Sequence, residues 1–261
     1  MKKILANIIV LLLVAVAVFF IGWVQFLVKP GFCGIMTSKT GGIYGEPIVS
    51  GKFAWRWEKL LPTNAEMHLF SLSPNKSRRI QEGSLPSGEL YASKIDGTAD
   101  FSYKVEMDVS LELSAETIHA LFVANKISSP EDLNSWYDSK AQLVCSEVAN
   151  KMIQQSGSAV AVSKRTFSEA ELSDLSSKLA VELEGGKICG IEVVYAKLPD
   201  FELYNMAKNS YSAYQKELDL KLKELATVQA KTIAEENRSM QQLEKFAALL
   251  KEYPQGHNLL L

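Results

Sequence analysis

The hydrophobic pattern opens with an unbroken apolar run, Ile4 to Val28, that carries no charged residue. It covers about 25 positions, where roughly 20 suffice to cross the hydrocarbon core of a bilayer. Its two polar residues, Asn7 and Gln25, lie near its ends. The run therefore predicts an uncleaved transmembrane helix. A cleaved signal peptide is the alternative, since Ala15-Val16-Ala17 has the small-x-small form of a cleavage site, but the apolar run continues straight through it. Lys2 and Lys3 precede the segment and only Lys29 directly follows it. The positive-inside rule then puts the N-terminus in the cytoplasm and the bulk of the chain across the membrane.

The period changes several times after the anchor. Between Ala99 and Leu113 apolar and polar residues alternate without exception, which predicts a long antiparallel strand with one buried face, entered through an Asp96-Gly97 turn. Helical spacing follows. Ser114 is placed to cap a short helix bearing Ile118, Leu121 and Phe122, and Ser129-Pro130-Glu131-Asp132 opens a second with Leu133, Trp136, Tyr137, Lys140, Val144 and Val148 near one stripe. A third begins at Ser168 with Glu171 completing a capping box and stops at Gly185-Gly186. Ile188 to Leu198 reads as a strand closed by Pro199.

From Phe201 to Glu252 neither proline nor glycine interrupts the chain, which predicts a helix on the order of 75 Å long. Leu218, Leu222, Leu225, Leu243, Phe246 and Leu250 keep heptad spacing, but Gln229, Thr232, Glu236 and Ser239 occupy its middle. That seam suits a helix lying beside copies of itself in a larger array better than an autonomous dimeric coiled coil. A solvated helix without a partner is the bland alternative. Pro254 and Gly256 end the helix before an apolar Asn258-Leu259-Leu260-Leu261 tail, a potential cap between subunits.

Two stretches lack a clear period. Lys29 to Pro62 is rich in glycine and aromatic residues and reads as short strands and turns. Within it Trp55 and Trp57 fit either the membrane surface, where amphipathic rings are favoured, or strand positions on a core. Ser73 to Ser93, with two prolines, two glycines and a Lys76-Arg78-Arg79 basic cluster, reads as an exposed loop.

Composition narrows the chemistry. The balance of 28 Lys+Arg against 30 Asp+Glu, with no basic tract among aromatics, argues against a nucleic-acid partner. Cys33, Cys145 and Cys189 form no close pair, so neither a zinc site nor a disulfide framework is expected, and they read mostly as buried small residues. Cys33 would be open to acylation only in the reversed topology. His68, His119 and His257 are isolated, and neither a nucleophile elbow nor a phosphate loop occurs. No catalytic, cofactor-binding or metal-ligating residue is nominated, and the chain is not expected to be an enzyme; His119, on the helix after the long strand, is weighed for a role in chemistry, but an ordinary surface or half-buried histidine is the favoured reading.

The order of these elements resembles the stomatin/prohibitin/flotillin/HflK-HflC (SPFH) superfamily. The resemblance is carried by the anchor with Lys29-Pro30-Gly31-Phe32-Cys33-Gly34-Ile35, by Gly51-Lys52-Phe53 through Leu61-Pro62, by Ile95-Asp96-Gly97 entering the alternating strand, and by Gly190 to Leu198 before the long helix. It departs in having Ser50-Gly51 for the usual Pro-Gly, an added 73–93 loop, and a shorter, less Ala/Glu-rich terminal helix. The resemblance implies an α+β fold, with a curved antiparallel sheet and packed helices between the transmembrane helix and the long C-terminal helix. It divides the chain into an anchor (1–29), a membrane-proximal β-rich subdomain (30–113), an α+β subdomain (114–200), the long helix (201–252) and the tail (253–261).

Its functional implication is a membrane-anchored oligomeric scaffold, a ring or cage that organises a membrane microdomain and regulates a membrane protease or other membrane proteins. The implied partners are copies of itself or a paralogous SPFH subunit, membrane lipids, and a membrane-bound AAA protease, at the inner membrane of the cell. An anchored adaptor of low oligomeric state is the alternative from another class, and a membrane-anchored hydrolase the third.

Overall fold

The apolar run does not form one continuous helix. In the computed structural model, which describes residues 2–95, 99–158 and 160–252, helix α1 (Lys2–Gly22) ends before the run does, and Val24–Leu27 wind into a 3-10 turn. Val24 and Val28 are buried against Met36 and Ile48. The last residues of the apparent anchor therefore belong to the core of the body. The chain forms two units, Met1–Gly88 with Asp100–Glu202 and Glu89–Ala99 with Leu203–Leu261, in their described residues.

The first unit contains two antiparallel sheets. In the first, the central strand β1 (Phe32–Ser38) pairs along one edge with β2 (Gly42–Ile43) and β3 (Ile48–Val49), and along the other with β4 (Ala65–Ser71). Between β3 and β4 a 3-10 turn covers Trp57–Leu60. The absence of a Cβ at Gly34 lets Met67 and Val28 pack over the centre of β1, since a Cβ there would lie 2.6 Å from Met67 Sδ and 2.8 Å from Val28 Cγ2.

The second sheet has the order β5-β6-β8-β7, from β5 (Asn75–Ser84), β6 (Ser102–Glu112), β7 (Val160–Thr166) and β8 (Lys187–Leu198). Val105, Met107, Val109 and Leu111 of β6 and Ile188, Ile191, Val193 and Ala196 of β8 are buried. Alternation on β6 thus sends one face inward as the period requires. Irregular register opposite Glu106/Met107 and Ser110/Leu111 gives β8 two bulges.

Short helix α2 (Gly88–Ala92) precedes β6; α3 (Ala115–Val123) and α4 (Pro130–Gln154) follow it, α5 (Glu169–Lys178) lies between β7 and β8, and α6 (Phe201–Glu252) ends the described chain. Ser114 caps α3, and Ser129 with Asp132 and Ser168 with Glu171 form reciprocal capping boxes on α4 and α5. Each cap satisfies amide groups that a helix start leaves unpaired, contributing about 1 kcal/mol. Helix α5 ends at Lys178, earlier than the glycine pair suggests; turns carry the chain on to Glu184 and Gly185, both at positive φ.

Two expectations need correction. The single curved sheet of the SPFH-like body is replaced by two separate four-stranded sheets, neither closed. Pro74, which has no N–H to donate, stands between β4 and β5 where one ladder would have to continue into the other. The exposed loop expected over 73–93 is instead largely β5, an edge strand with no apolar alternation to betray it. Its backbone pairs with β6 from Asn75 to Ser84, and its side chains are matched to polar neighbours: Arg78 to Asp108 at 2.8 Å, Arg79 to Asp138, and Gln81 to Gln142 at 2.9 Å. Strands β4 and β7 were likewise not foreseen. The Asp96-Gly97 turn and the 253–261 tail lie outside the described residues.

Candidate interaction surfaces

The junction between α1 and the body is built from a glycine and a tryptophan. A Cβ on Gly22 would fall 2.4 Å from Trp55 Nε1, so only glycine admits the indole. That N–H donates to the Phe19 carbonyl at 3.0 Å, and the Arg56 amide donates to the Gly22 carbonyl at 2.8 Å. Carbonyls left free at a helix C-terminus need partners, and here the body supplies them. The Val24 amide then donates to Ala54 O at 3.0 Å. Trp55 is thus half-buried in the joint, whereas Trp57, in its 3-10 turn, is 51% exposed. Neither lies within a named strand. Phe53 stacks on Phe19 with ring centres 6.2 Å apart and tilts against Trp23 at 5.6 Å; Trp23 also meets Phe26 at 4.1 Å. Phe26 and Phe53 remain exposed. The sequence reading missed both, although their density of rings so near the anchor was a visible signal.

Every described side chain of α1 from Lys3 to Ile21 is exposed. The helix is long and apolar enough to cross a membrane, which also fits a signal segment.

The second unit presents α6. Tyr91 sets its ring edge against Tyr204 at 5.5 Å and tilts against Tyr211 at 5.7 Å, and Tyr204 and Ala207 are buried. Lys94, Ile95, Met206, Tyr211 and Tyr214 are among the residues lining a groove of about 600 Å³ beside this start. From Lys216 to Glu252 every residue is exposed. The nominated Leu218, Leu222, Leu225, Leu243, Phe246 and Leu250 all lie on this exposed length. At about 100° per residue they fall within about 80° of Leu218, and Tyr214, Val228, Ile233 and Met240 fall on the same face. The added residues flank the polar middle of the seam. The seven-residue spacing of Ile233 and Met240 was the signal that the strict heptad reading passed over.

The groups with chemical potential have structural partners. His68 Nε2 lies 3.2 Å from Thr37 Oγ1, and His119 Nε2 lies 2.6 Å from the Tyr44 carbonyl; His257 is outside the described residues. Among the described residues no group of three His, Cys, Asp or Glu is placed to hold a metal. Burial pushes the Cys33 and Cys145 thiols up to about 11, away from the reactive thiolate. Cys33 is therefore not presented for acylation. Of the three cysteines, read as mostly buried, Cys189 alone is exposed, with Sγ 3.2 Å from Glu112 Oε2; partial desolvation and that carboxylate raise its pKa. Glu184 accepts from Lys126 at 2.7 Å and Lys140 at 3.0 Å, and the first of these contacts chiefly holds its carboxyl below the usual range. These contacts fasten the turn after α5 to α4 through Lys140 and to the α3–α4 connection through Lys126.

No family model matches the chain, and with two open sheets in place of one curved sheet the SPFH resemblance is not sustained. Its short motifs have local explanations: Gly31 and Gly51 occupy positive-φ turns, and Gly34 makes room for Met67. The stomatin-like and prohibitin-like assignments fall with it. The paralogous SPFH subunit, the microdomain and the AAA protease had rested on that likeness alone. The chain is 30% identical over 235 residues, covering 89% of its own length and 79% of the other's, to an uncharacterized protein of Treponema pallidum (strain Nichols), and it belongs to that protein's family.

Proposed function

We propose that the protein is a membrane-anchored scaffold that assembles with copies of itself through α6. The observation that carries this reading is the helix's exposed apolar face, which runs from Tyr214 to Leu250. Exposed apolar residues recurring along one face of a helix over this length generally mark an interaction site. The polar residues Gln229, Thr232, Glu236 and Ser239 weaken any one pairing, so the geometry favours many modest contacts made simultaneously.

In this reading α1 stays attached and spans the inner membrane with its N-terminus in the cytoplasm, and the body stands on the extracytoplasmic side. Support comes from its length, beyond the 7 to 15 apolar residues of a signal segment, and from the lysines before it. The test is the mass of the complex extracted in mild detergent, for the full chain and for the Leu222→Asp, Leu225→Asp variant. A large particle that shrinks in the variant supports assembly through α6. Equal small particles would remove the scaffold reading and favour an anchored adaptor, for which the groove beside Tyr211 and Tyr214 is a candidate binding surface.

A further inference from the structure

We propose that Phe26, Phe53 and Trp57 form an aromatic collar that seats the body in the lipid interface around the exit of α1. The proposal rests on the reading of α1 as a retained membrane span. A helix of 21 residues is about 31 Å long, close to the roughly 30 Å of the hydrocarbon core. With Lys2 and Lys3 at one boundary, Gly22 reaches the other, and Phe19 lies about one turn inside it. Phe53 is stacked on Phe19, so its depth is fixed by the helix and not by the flexibility of its own loop. Phe26 is tied to the same level through Trp23.

The exposures agree with that placement. Phe26, Phe53 and Trp57 are 65%, 59% and 51% exposed, although Trp23, which joins the first two, is half-buried. Aromatic rings with this exposure are favoured at headgroup level, where an apolar body and a wet edge are both accommodated. Lys29, exposed just after the buried Val28, is placed to face the headgroups. Trp55 is excluded from the collar because its indole N–H is committed to Phe19 O. The occupant is therefore lipid, continuous with the lipid around α1.

Spin labels placed singly in the full chain, reconstituted in vesicles of phosphatidylcholine and phosphatidylglycerol, test the proposal. Cys189 is first replaced by serine, since it is the exposed thiol; Cys33 and Cys145 are buried. Labels go at Leu12→Cys in the middle of α1, at Phe53→Cys and Trp57→Cys in the collar, and at Asn134→Cys on the exposed side of α4. The expected result is an oxygen-to-nickel accessibility ratio that is highest at 12, several-fold above the value at 134 for both 53 and 57, and lowest at 134. A deep label at 12 with 53 and 57 indistinguishable from 134 would overturn the collar and leave the span intact. A label at 12 that behaves like 134 would overturn the span, and the collar with it.

Discussion

Helices α4 and α6 both carry apolar residues at helical spacing, yet one turns them inward and the other leaves them in solvent. On α4, Leu133, Trp136, Tyr137, Val144 and Val148 are buried with the sheet behind them. On α6, Leu222, Leu225 and Leu243 are more than half exposed. Composition explains part of the contrast. The α4 stripe continues through Ala141, Cys145 and Ala149, small residues that let the helix approach its neighbours closely, whereas the α6 face is broken by Gln229, Glu236 and Ser239. Periodicity shows that a face exists; the continuity and size of its residues decide whether that face can join a core.

The largest test of the contrast is Val144→Asp. It places a carboxylate at a fully buried position and should cost on the order of 4 kcal/mol, read as loss of the cooperative thermal transition of the body. A mild effect would mean that α4 is less committed to the core than its burial indicates. Removing the cap by Ser129→Ala leaves the Asp132 amide unpaired and should cost about 1 kcal/mol in urea unfolding.

A smaller, pH-dependent effect comes from the β5–β6 pair. The guanidinium hydrogen bond from Arg78, reinforced by Lys76, holds the Asp108 carboxyl below its ordinary value of 3.8. A depressed folded pKa stabilises the fold above that ordinary value, and the contribution is lost as pH falls through the folded one. The melting temperature should therefore drop below about pH 4, and Asp108→Asn should reduce that slope. An unchanged slope would show the pair to be energetically idle. Least of all should Leu222→Asp with Leu225→Asp affect the body: its unfolding free energy should stay within about 0.5 kcal/mol while the particle shrinks. A comparable loss of body stability would place the α6 face inside the fold after all.

Legibility followed the same division. Strict alternation over Ala99–Leu113 contained β6, which is shorter at both ends, and the serine caps matched the starts of α3, α4 and α5, because each of these signals is local. The edge strand β5 was hidden, since its inward side chains include Ser77, Arg79 and Gln81, of which the last two find polar partners on α4 that no local pattern announces. The boundary of the apolar run was hidden for a related reason. Val24 and Val28 look like membrane residues, and only the tertiary fold turns them into core. The apolar face of α6 was legible as a pattern. The role of Trp55 was not, because it depends on the absence of a methyl group at Gly22, distant in sequence.

That absent methyl has a mechanical consequence. With the Trp55 indole seated on Gly22, and with Phe19 and Gly22 each lending a carbonyl to the body, the chain has no slack where helix becomes domain. A tilt or axial rotation of α1 would therefore act on the residues packed against the first sheet directly, with no intervening linker. Anything that leans on the helix thereby turns the body with it.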